Sequence, residues 1–183
     1  MRRSKPGIFW GVTGSVLLLD AFTKVLAVDR LMPAYLPRPI WGEAVRLTLV
    51  YNPGAAFGLH LGPNSRWIFI ALTFVALLVL ARLYLDTPLA SRQRTLALAL
   101  VTGGAVGNLL DRLKTARGVV DFIDLGVGAW RWPTFNVADI AVTTGSVLLA
   151  VVLWNSDDAP AVSGATPSYD AVRADDGSSG VTG

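Results

Sequence analysis

Four long apolar segments dominate the sequence and limit the folds that are open to it. They cover residues 8–28, 67–85, 95–113 and 137–154. Each is close to the roughly 20 residues that a helix needs to cross a hydrocarbon core about 30 Å thick. Charged residues make up 16% of the chain, against about 25% in soluble domains, and a bilayer excludes charge most strongly. The sequence therefore predicts an all-α membrane protein with four transmembrane helices.

Basic residues near the segment ends indicate the orientation in the membrane. Lysine and arginine are enriched in cytoplasmic connections. One group lies before the first segment, and a second lies around the connection between the second and third. The residues are Arg2, Arg3 and Lys5, and Arg82, Arg92 and Arg94. We therefore expect both termini in the cytoplasm and the connections at 29–66 and 114–136 outside. The outer connections also contain arginines, so the charge bias is incomplete.

Between the first and second segments, the sequence predicts a small β-sheet on the membrane surface. Residues 46–51 alternate in character and favour a strand, and Asn52-Pro53-Gly54 is a turn signal. We expect a small external sheet at about 35–66 within a membrane domain of residues 1–154. From Asn155 onwards the composition shifts to small and polar residues. This shift predicts a disordered cytoplasmic tail at 155–183.

Several ionisable residues lie in segments that should be apolar. Asp20 and Lys24 are four residues apart and share a helical face. They can form a salt bridge that holds helices together, or they can take part in function. The third segment carries a polar stripe at a spacing of four, with one acid beside it: Gly104, Asn108, Arg112 and Asp111. Because an ionisable residue at the bilayer centre costs about 2.5–3.5 kcal/mol, this stripe indicates a polar site at the outer end of the third helix.

Two aspartates, Asp121 and Asp139, follow apolar residues at the predicted outer boundary of the membrane. Two carboxylates held close together share a proton, and their apparent pKa values separate. One can then act as a base on water while the other, protonated, polarises a carbonyl group. This chemistry suits an aspartyl hydrolase. The residues also allow a small proton-coupled carrier that uses Asp20, Lys24 and Asp139, or a structural membrane subunit whose buried charges are merely paired.

The residue inventory limits other chemistries. The chain has no cysteine and a single histidine, His60. A thiolate site, a histidine-based zinc site and a Ser–His triad are therefore hard to assemble within it. We expect neither a metal nor an organic cofactor. The net charge of +3 is too small to indicate a nucleic-acid partner.

Five short motifs stand in order along the chain: Asp20-Ala21-Phe22-Thr23-Lys24, Asn52-Pro53-Gly54-Ala55-Ala56-Phe57-Gly58, Gly103-Gly104-Ala105-Val106-Gly107-Asn108-Leu109-Leu110-Asp111-Arg112, Val119-Val120-Asp121-Phe122 and Phe135-Asn136-Val137-Ala138-Asp139. Together they resemble the lipoprotein signal peptidase family, the bacterial signal peptidase II family, over about residues 5–154. The chain departs from the family pattern at Ala21, where glutamine is usual, and at Ile140, where serine is frequent. Both departures leave the aspartate pair unchanged.

The resemblance implies a membrane aspartyl endopeptidase that removes the signal peptide from diacylglyceryl-modified prolipoproteins. The implied fold is four transmembrane helices with an external β-cradle. The implied location is the bacterial inner membrane, with the active site at the outer face. Lipid-modified prolipoproteins and membrane lipids would be its partners, and we expect a monomer.

The resemblance also assigns roles by motif position. Asp121 and Asp139 would be the catalytic pair. The residues that bind substrate or orient the pair would be Asn52, Gly54, Asn108, Arg112 and Asn136. Structural support would come from Asp20, Lys24, Gly104 and Asp111.

Overall fold

The computed structural model describes residues 4–56, 59–60, 62 and 64–157. The elements in chain order are α1 (Lys5–Leu31), β1 (Arg38–Trp41), β2 (Val45–Asn52), β3 (Ala55–Ala56), β4 (Leu59–His60), α2 (Ser65–Asp86), α3 (Arg92–Lys114), β5 (Val119–Val127), β6 (Trp130–Arg131) and α4 (Val137–Asp157). The four helices are long and apolar enough to cross a membrane, α4 over Val137–Trp154. The predicted four-helix membrane fold with a small sheet is confirmed.

The two ends of the helix bundle have different surroundings. At the sheet end of the bundle, α1 and α3 finish and α2 and α4 begin, next to the strands. At the opposite end, α2 and α3 are joined by a short turn. There the Lys5 ammonium donates to the carbonyl oxygens of Tyr84 and Thr87, each at 2.6 Å. The Tyr84 carbonyl also accepts the N–H of Thr87 at 3.2 Å, so Lys5 adds a second bond there and ties the start of α1 to the end of α2.

Helix α3 is the centre of the bundle and contacts each of the other three helices. Small residues allow this close approach, because a side chain at these positions would meet a neighbouring helix. A Cβ atom added at Gly103 would lie 2.9 Å from the Cβ of Val16 in α1, and one at Gly104 would overlap the carbonyl oxygen of Ala138 in α4. Helix α2 packs chiefly on α3.

A four-stranded antiparallel sheet, in the order β1-β2-β5-β6, covers one end of the bundle, and β3 and β4 form a separate antiparallel pair. Val50 of β2 lies opposite Asp121 of β5. The sequence predicted the sheet at 35–66, but β5 and β6 come from the connection between α3 and α4. The sheet therefore joins the two connections and brings Asp121 next to the loop that begins at Asn52.

The sheet packs on the end of α1. Ala27 and Leu31 of α1 form a buried cluster with Leu49 of β2 and Phe122 of β5. Leu49 is completely buried. This contact fixes the height of Asp121, since Phe122 is its neighbour in the strand.

Exposed tryptophans lie at both ends of the bundle. Trp41, Trp67, Trp130 and Trp132 are exposed near the sheet, and Trp10 and Trp154 are exposed near the opposite helix ends. Amphipathic rings favour the two membrane interfaces. Helix α4 continues to Asp157, three residues beyond the predicted span. The rest of the predicted disordered tail, 158–183, lies outside the described residues.

Candidate active site

One residue, Asn136, brings the two candidate carboxylates together. Its side-chain amide nitrogen donates to Oδ1 of Asp121 at 2.7 Å. Its backbone N–H donates to Oδ2 of Asp139 at 3.1 Å. Asp121 and Asp139 lie in β5 and in the first turn of α4, 18 residues apart in sequence. Because one residue binds both, their carboxylates face the same small volume.

Asn136 can do this because it also begins helix α4. It precedes Val137, the first helical residue, and its Oδ1 accepts the backbone N–H of Asp139 at 3.0 Å. Asp139 returns a bond to the backbone N–H of Asn136, so the two residues form a reciprocal capping box. The N-terminal end of a helix favours negative charge. The fold therefore directs hydrogen-bond donors at the Asp139 side chain.

Asp121 lies in a less favourable place for a charge. Asp121 is 3% exposed, and its Oδ2 accepts a hydrogen bond from the side-chain amide of Asn52 at 3.1 Å. Burial, together with the negative charge of Asp139, raises the pKa of Asp121 to about 7, although the amides of Asn52 and Asn136 act in the opposite direction. When two carboxylates in unequal environments hold one proton between them, it favours the group with the higher pKa.

Asn52 is itself held by the turn that follows β2. Its Oδ1 accepts the backbone N–H of Gly54 at 3.1 Å. Gly54 has φ +126°, and a Cβ there would lie 2.9 Å from both Phe69 and Ser65 of α2. A larger residue at this position would therefore strain the backbone and push α2 away.

Asn108 of α3 holds the other face of Asp139. Its Nδ2 donates to Oδ1 of Asp139 at 2.7 Å. Its Oδ1 accepts from Asn136 Nδ2 and from Lys24 Nζ, each at 3.1 Å. Because Lys24 has only donors, it fixes the direction of the Asn108 amide and keeps the N–H groups turned toward Asp139.

Lys24 is the centre of a buried cluster that we call the lysine cluster: Asp20, Lys24, Asn108 and Asp111. Its Nζ lies 2.8 Å from Asp20 Oδ2, 2.9 Å from Asp111 Oδ2 and 3.1 Å from Asn108 Oδ1. Each of its three donors therefore has an acceptor. The salt bridge between Asp20 and Lys24, one of the two predicted roles, is present and extends to α3.

The lysine cluster reaches the backbone beside each candidate carboxylate. Asp20 Oδ1 accepts the N–H of Ala138 at 3.0 Å, next to Asp139. Asp111 Oδ2 accepts the N–H of Val120 at 3.3 Å, next to Asp121. Gly104 belongs to the same region, since the absence of a side chain there lets α4 approach α3. The cluster thus connects α1, α3, β5 and α4 around the pair.

Arg112 lies beside the pair without binding it directly. Its Nη1 donates to the carbonyl oxygen of Asn108 at 3.3 Å, and its guanidinium is 5.3 Å from the centre of the Phe69 ring. The charge interacts with those of Asp121 and Asp139. Its Nε is buried and has no hydrogen-bond partner among the described residues. Donor capacity is therefore left over next to the carboxylates.

A second polar network, which the sequence analysis did not identify, stabilises the sheet. Oxygens of Asp124 in β5 accept from Arg46, Thr48 and Arg131. Burial alone would raise the pKa of Asp124, but these hydrogen bonds outweigh it and hold the pKa below the ordinary value. The sequence signal was an acid three residues after Asp121, together with arginines in the connections at 29–66 and 114–136. Asp124 has ionic partners on two sides, which suits a structural role.

Comparison with known proteins identifies the family of this chain. The sequence profile of the family described as "Signal peptidase (SPase) II" matches residues 12–155. The chain is 44% identical over 141 residues to the lipoprotein signal peptidase of Burkholderia mallei (strain SAVP1), covering 76% of this chain and 82% of the relative. It is 43% identical over 149 residues to the lipoprotein signal peptidase of Rhodococcus jostii (strain RHA1), covering 77% of this chain and 69% of the relative.

Two solved structures share the fold. One is a bacterial membrane enzyme determined by the in meso method at 2.3 Å resolution, with a TM-score of 0.72 and 25% identity over 85% of this chain and 92% of the other. The second, a bacterial membrane enzyme determined at 1.9 Å by the same method, has a TM-score of 0.68 and 28% identity over 78% and 89% of the two chains. The family match covers most of the chain and all four helices, and so this protein belongs to the signal peptidase II family.

Proposed function

We propose that this multi-pass membrane protease is an aspartic endopeptidase that removes signal peptides from diacylglyceryl-modified prolipoproteins, with Asp121 and Asp139 as its catalytic pair. The observation that carries the proposal is the double role of Asn136, which donates to Asp121 at 2.7 Å and to Asp139 at 3.1 Å. The two carboxylates thus share one partner residue, and the charge of Asp139 also acts on Asp121, which supports a joint action on one water molecule.

The environments of the two aspartates support different roles. Asp139 accepts N–H groups from Asn108 and Asn136 at the start of α4, so it serves as the carboxylate base. Asp121 has a pKa of about 7 because of burial and the charge of Asp139, so it holds the shared proton near neutral pH. In an aspartyl hydrolase these are the two states that the reaction requires.

The reaction then proceeds in two steps. Asp139 takes a proton from water while the water oxygen attacks the scissile carbonyl carbon and Asp121 gives its proton to the carbonyl oxygen. Asp121, now ionised, recovers a proton from a hydroxyl of the tetrahedral intermediate, and Asp139 passes its proton to the peptide nitrogen. The C–N bond breaks, and the pair returns to its starting protonation state.

Asn52 and Arg112 are the groups that we assign to the substrate backbone. Asn52 already orients Asp121 and is the last residue of β2. Arg112 has a buried Nε without a hydrogen-bond partner among the described residues. An uncompensated buried donor costs about 1–3 kcal/mol, and a substrate carbonyl oxygen would remove that cost.

The position of the pair suits a lipid-anchored substrate. Asp139 lies in the first turn of a spanning helix, and exposed tryptophans lie around the same end of the bundle. Peptide hydrolysis needs water, whereas the diacylglyceryl group stays in the bilayer. Helices α2 and α4 both pack on α3 and contact each other little, which offers the substrate a lateral route between them.

We assign the sheet end to the outer face of the membrane and both termini to the cytoplasm. The arginines at the sheet end are largely used within the protein. Arg46 and Arg131 bind Asp124, and Arg66 donates to the carbonyl oxygen of Arg112 at 2.6 Å. At the opposite end, Arg92 is exposed, and exposed basic residues favour the cytoplasmic side.

The carrier alternative is not favoured. It needs Asp20 and Lys24 to exchange protons with solution. Instead, Lys24 is 4% exposed and each of its three donors has an acceptor. This burial and pairing suit a structural role for Asp20 and Lys24 and do not suit proton exchange with solution.

The test is cleavage of a lipidated prolipoprotein by purified single variants. Asp121→Asn and Asp139→Asn should each lower kcat by at least about 10³-fold, since each removes a proton-transfer group. Glu43→Gln is the matched control, because its side chain is 72% exposed at the same end of the bundle, and it should cleave at the wild-type rate. Near-normal cleavage by either aspartate variant would disprove the assignment.

A further inference from the structure

A cavity of about 450 Å³ lies between α1 and α3, beneath β2 and β5. Neither Asp121 nor Asp139 lines it. Along α1 it extends from Leu17 to Asp29, twelve residues, or about 18 Å at 1.5 Å per residue. It therefore runs from the membrane-spanning part of the bundle to the sheet end.

The walls change in character along this length. The spanning part is apolar, with Leu17, Val25 and Leu110 among its lining residues. Asp20, Lys24 and Asp111 of the lysine cluster also line the cavity, but each Lys24 donor already has an acceptor. The charge available to a ligand is therefore at the sheet end of the cavity.

Two exposed cations lie at that end. Lys114 is the last residue of α3, and Arg117 follows in the loop to β5; both line the cavity. Neither makes an ion pair or a side-chain hydrogen bond with the described part of the chain. The Arg117 guanidinium lies 4.4 Å from the centre of the Tyr51 ring, another lining residue. This stacking keeps the Arg117 charge over the cavity.

An acid completes the end of the cavity. Asp29 lines it from α1. Among the described residues its ion-pair partner is Arg30, and the two side chains are 68% and 73% exposed, so this pair is weak. The cavity thus offers two cations on the α3 side and one carboxylate on the α1 side, above an apolar channel.

We propose that this cavity binds one zwitterionic glycerophospholipid of the bilayer. Lys114 and Arg117 bind its phosphate, Asp29 binds its ammonium group, and one acyl chain lies along Leu17, Val25 and Leu110. Asp29 on the α1 wall makes an anionic headgroup without an amine a poorer ligand. The cavity therefore prefers phosphatidylethanolamine to phosphatidylglycerol.

The test uses the full chain in nanodiscs of equal parts phosphatidylethanolamine and phosphatidylglycerol, with native mass spectrometry of the protein released from them. The wild type should retain phosphatidylethanolamine over phosphatidylglycerol by about tenfold, as expected for one charge-assisted contact. Lys114→Gln combined with Arg117→Gln should lose the bound phospholipid. Asp29→Asn should keep a bound phospholipid and lose the preference for the amine.

Arg82→Gln is the control, since its side chain is 75% exposed at the opposite end of the bundle. It should retain phosphatidylethanolamine as the wild type does. Cleavage of the prolipoprotein by the double variant at the wild-type rate would establish that it is folded. Equal retention of the two phospholipids by the wild type, or unchanged retention by the double variant, would overturn the proposal. Release of the retained lipid by a diacylglyceryl-modified peptide alone would also overturn it, because the cavity would then belong to the substrate.

Discussion

Replacing Lys24 by methionine removes the cation that connects α1 to the candidate active site. Methionine has a similar length but donates no hydrogen bond. Asp20, Asp111 and Asn108 would each lose a partner that now lies 2.8 Å, 2.9 Å and 3.1 Å away. Two carboxylates would then face each other without the positive charge between them. We expect both lower stability and a displaced Asn108.

The burial of the Lys24–Asp20 ion pair determines how much the free energy of unfolding should fall in Lys24→Met. The side chains of Lys24 and Asp20 are 5% and 3% exposed. Breaking a buried ion pair by removing one partner costs about 3–5 kcal/mol. Arg82 and Asp86 form a matched pair at the same spacing, but their side chains are 75% and 48% exposed. Arg82→Met should cost only about 0.3–0.5 kcal/mol, typical of an exposed helix pair.

The free energy of unfolding can be measured by titrating the purified protein with sodium dodecyl sulfate in mixed micelles, with circular dichroism as the readout. Cleavage by the folded fraction is measured in parallel. If Lys24 positions Asn108, then Lys24→Met lowers kcat while KM changes little. A loss of less than about 1 kcal/mol would refute the burial reasoning. A large loss of stability with normal kcat would show that Lys24 does not position the catalytic pair.

Two further predictions concern pH and packing. Burial and the charge of Asp139 raise the pKa of Asp121 to about 7. Because the proposed reaction needs protonated Asp121, kcat/KM should fall about tenfold per pH unit above that value. A pH profile that stays flat above pH 7 would contradict the proposal that Asp121 holds the proton. The stability contributed by protonated Asp121 should be complete below about pH 4 and be lost as the pH rises through about 7, a dependence that Asp121→Asn should remove in the same titration. Gly104→Ala should lower the free energy of unfolding by about 1–3 kcal/mol, because its methyl group would overlap the Ala138 carbonyl. Gly11→Ala, where a Cβ meets nothing within 4 Å, should instead be neutral or stabilising by up to about 1 kcal/mol.

The helices could be predicted from the sequence because their signal is local. A spanning helix satisfies its own backbone within one segment, so the length of an apolar run gives its position. The observed helices Lys5–Leu31 and Ser65–Asp86 extend the predicted spans by three residues or fewer at each end. The polar residues that interrupt these runs were recognisable for the same reason, since each is unfavourable in a bilayer.

Strand β5 could not be predicted in this way. Its partner β2 lies about 70 residues earlier, with Val50 opposite Asp121, and no local pattern specifies that pairing. The hydrogen bond from the Ala138 N–H to Asp20 joins residues 118 apart in sequence, so no local pattern predicts it either. The capping box was a missed local signal, because Asn136 is followed three residues later by an acid at the start of an apolar run.

The network around the pair also explains why residue 121 should be a carboxyl group and not an amide. Both oxygens of Asp121 accept hydrogen bonds, from Asn136 and from Asn52. A protonated carboxyl group carries a hydrogen and still retains acceptor capacity, whereas a carboxamide turns one of its two sites into a pure donor. Asp121→Asn would therefore set one N–H group against another, at a cost of about 1–3 kcal/mol. The same surroundings that permit Asp121 to hold a proton thus select aspartate for folding, so the catalytic loss in Asp121→Asn must be measured per folded molecule.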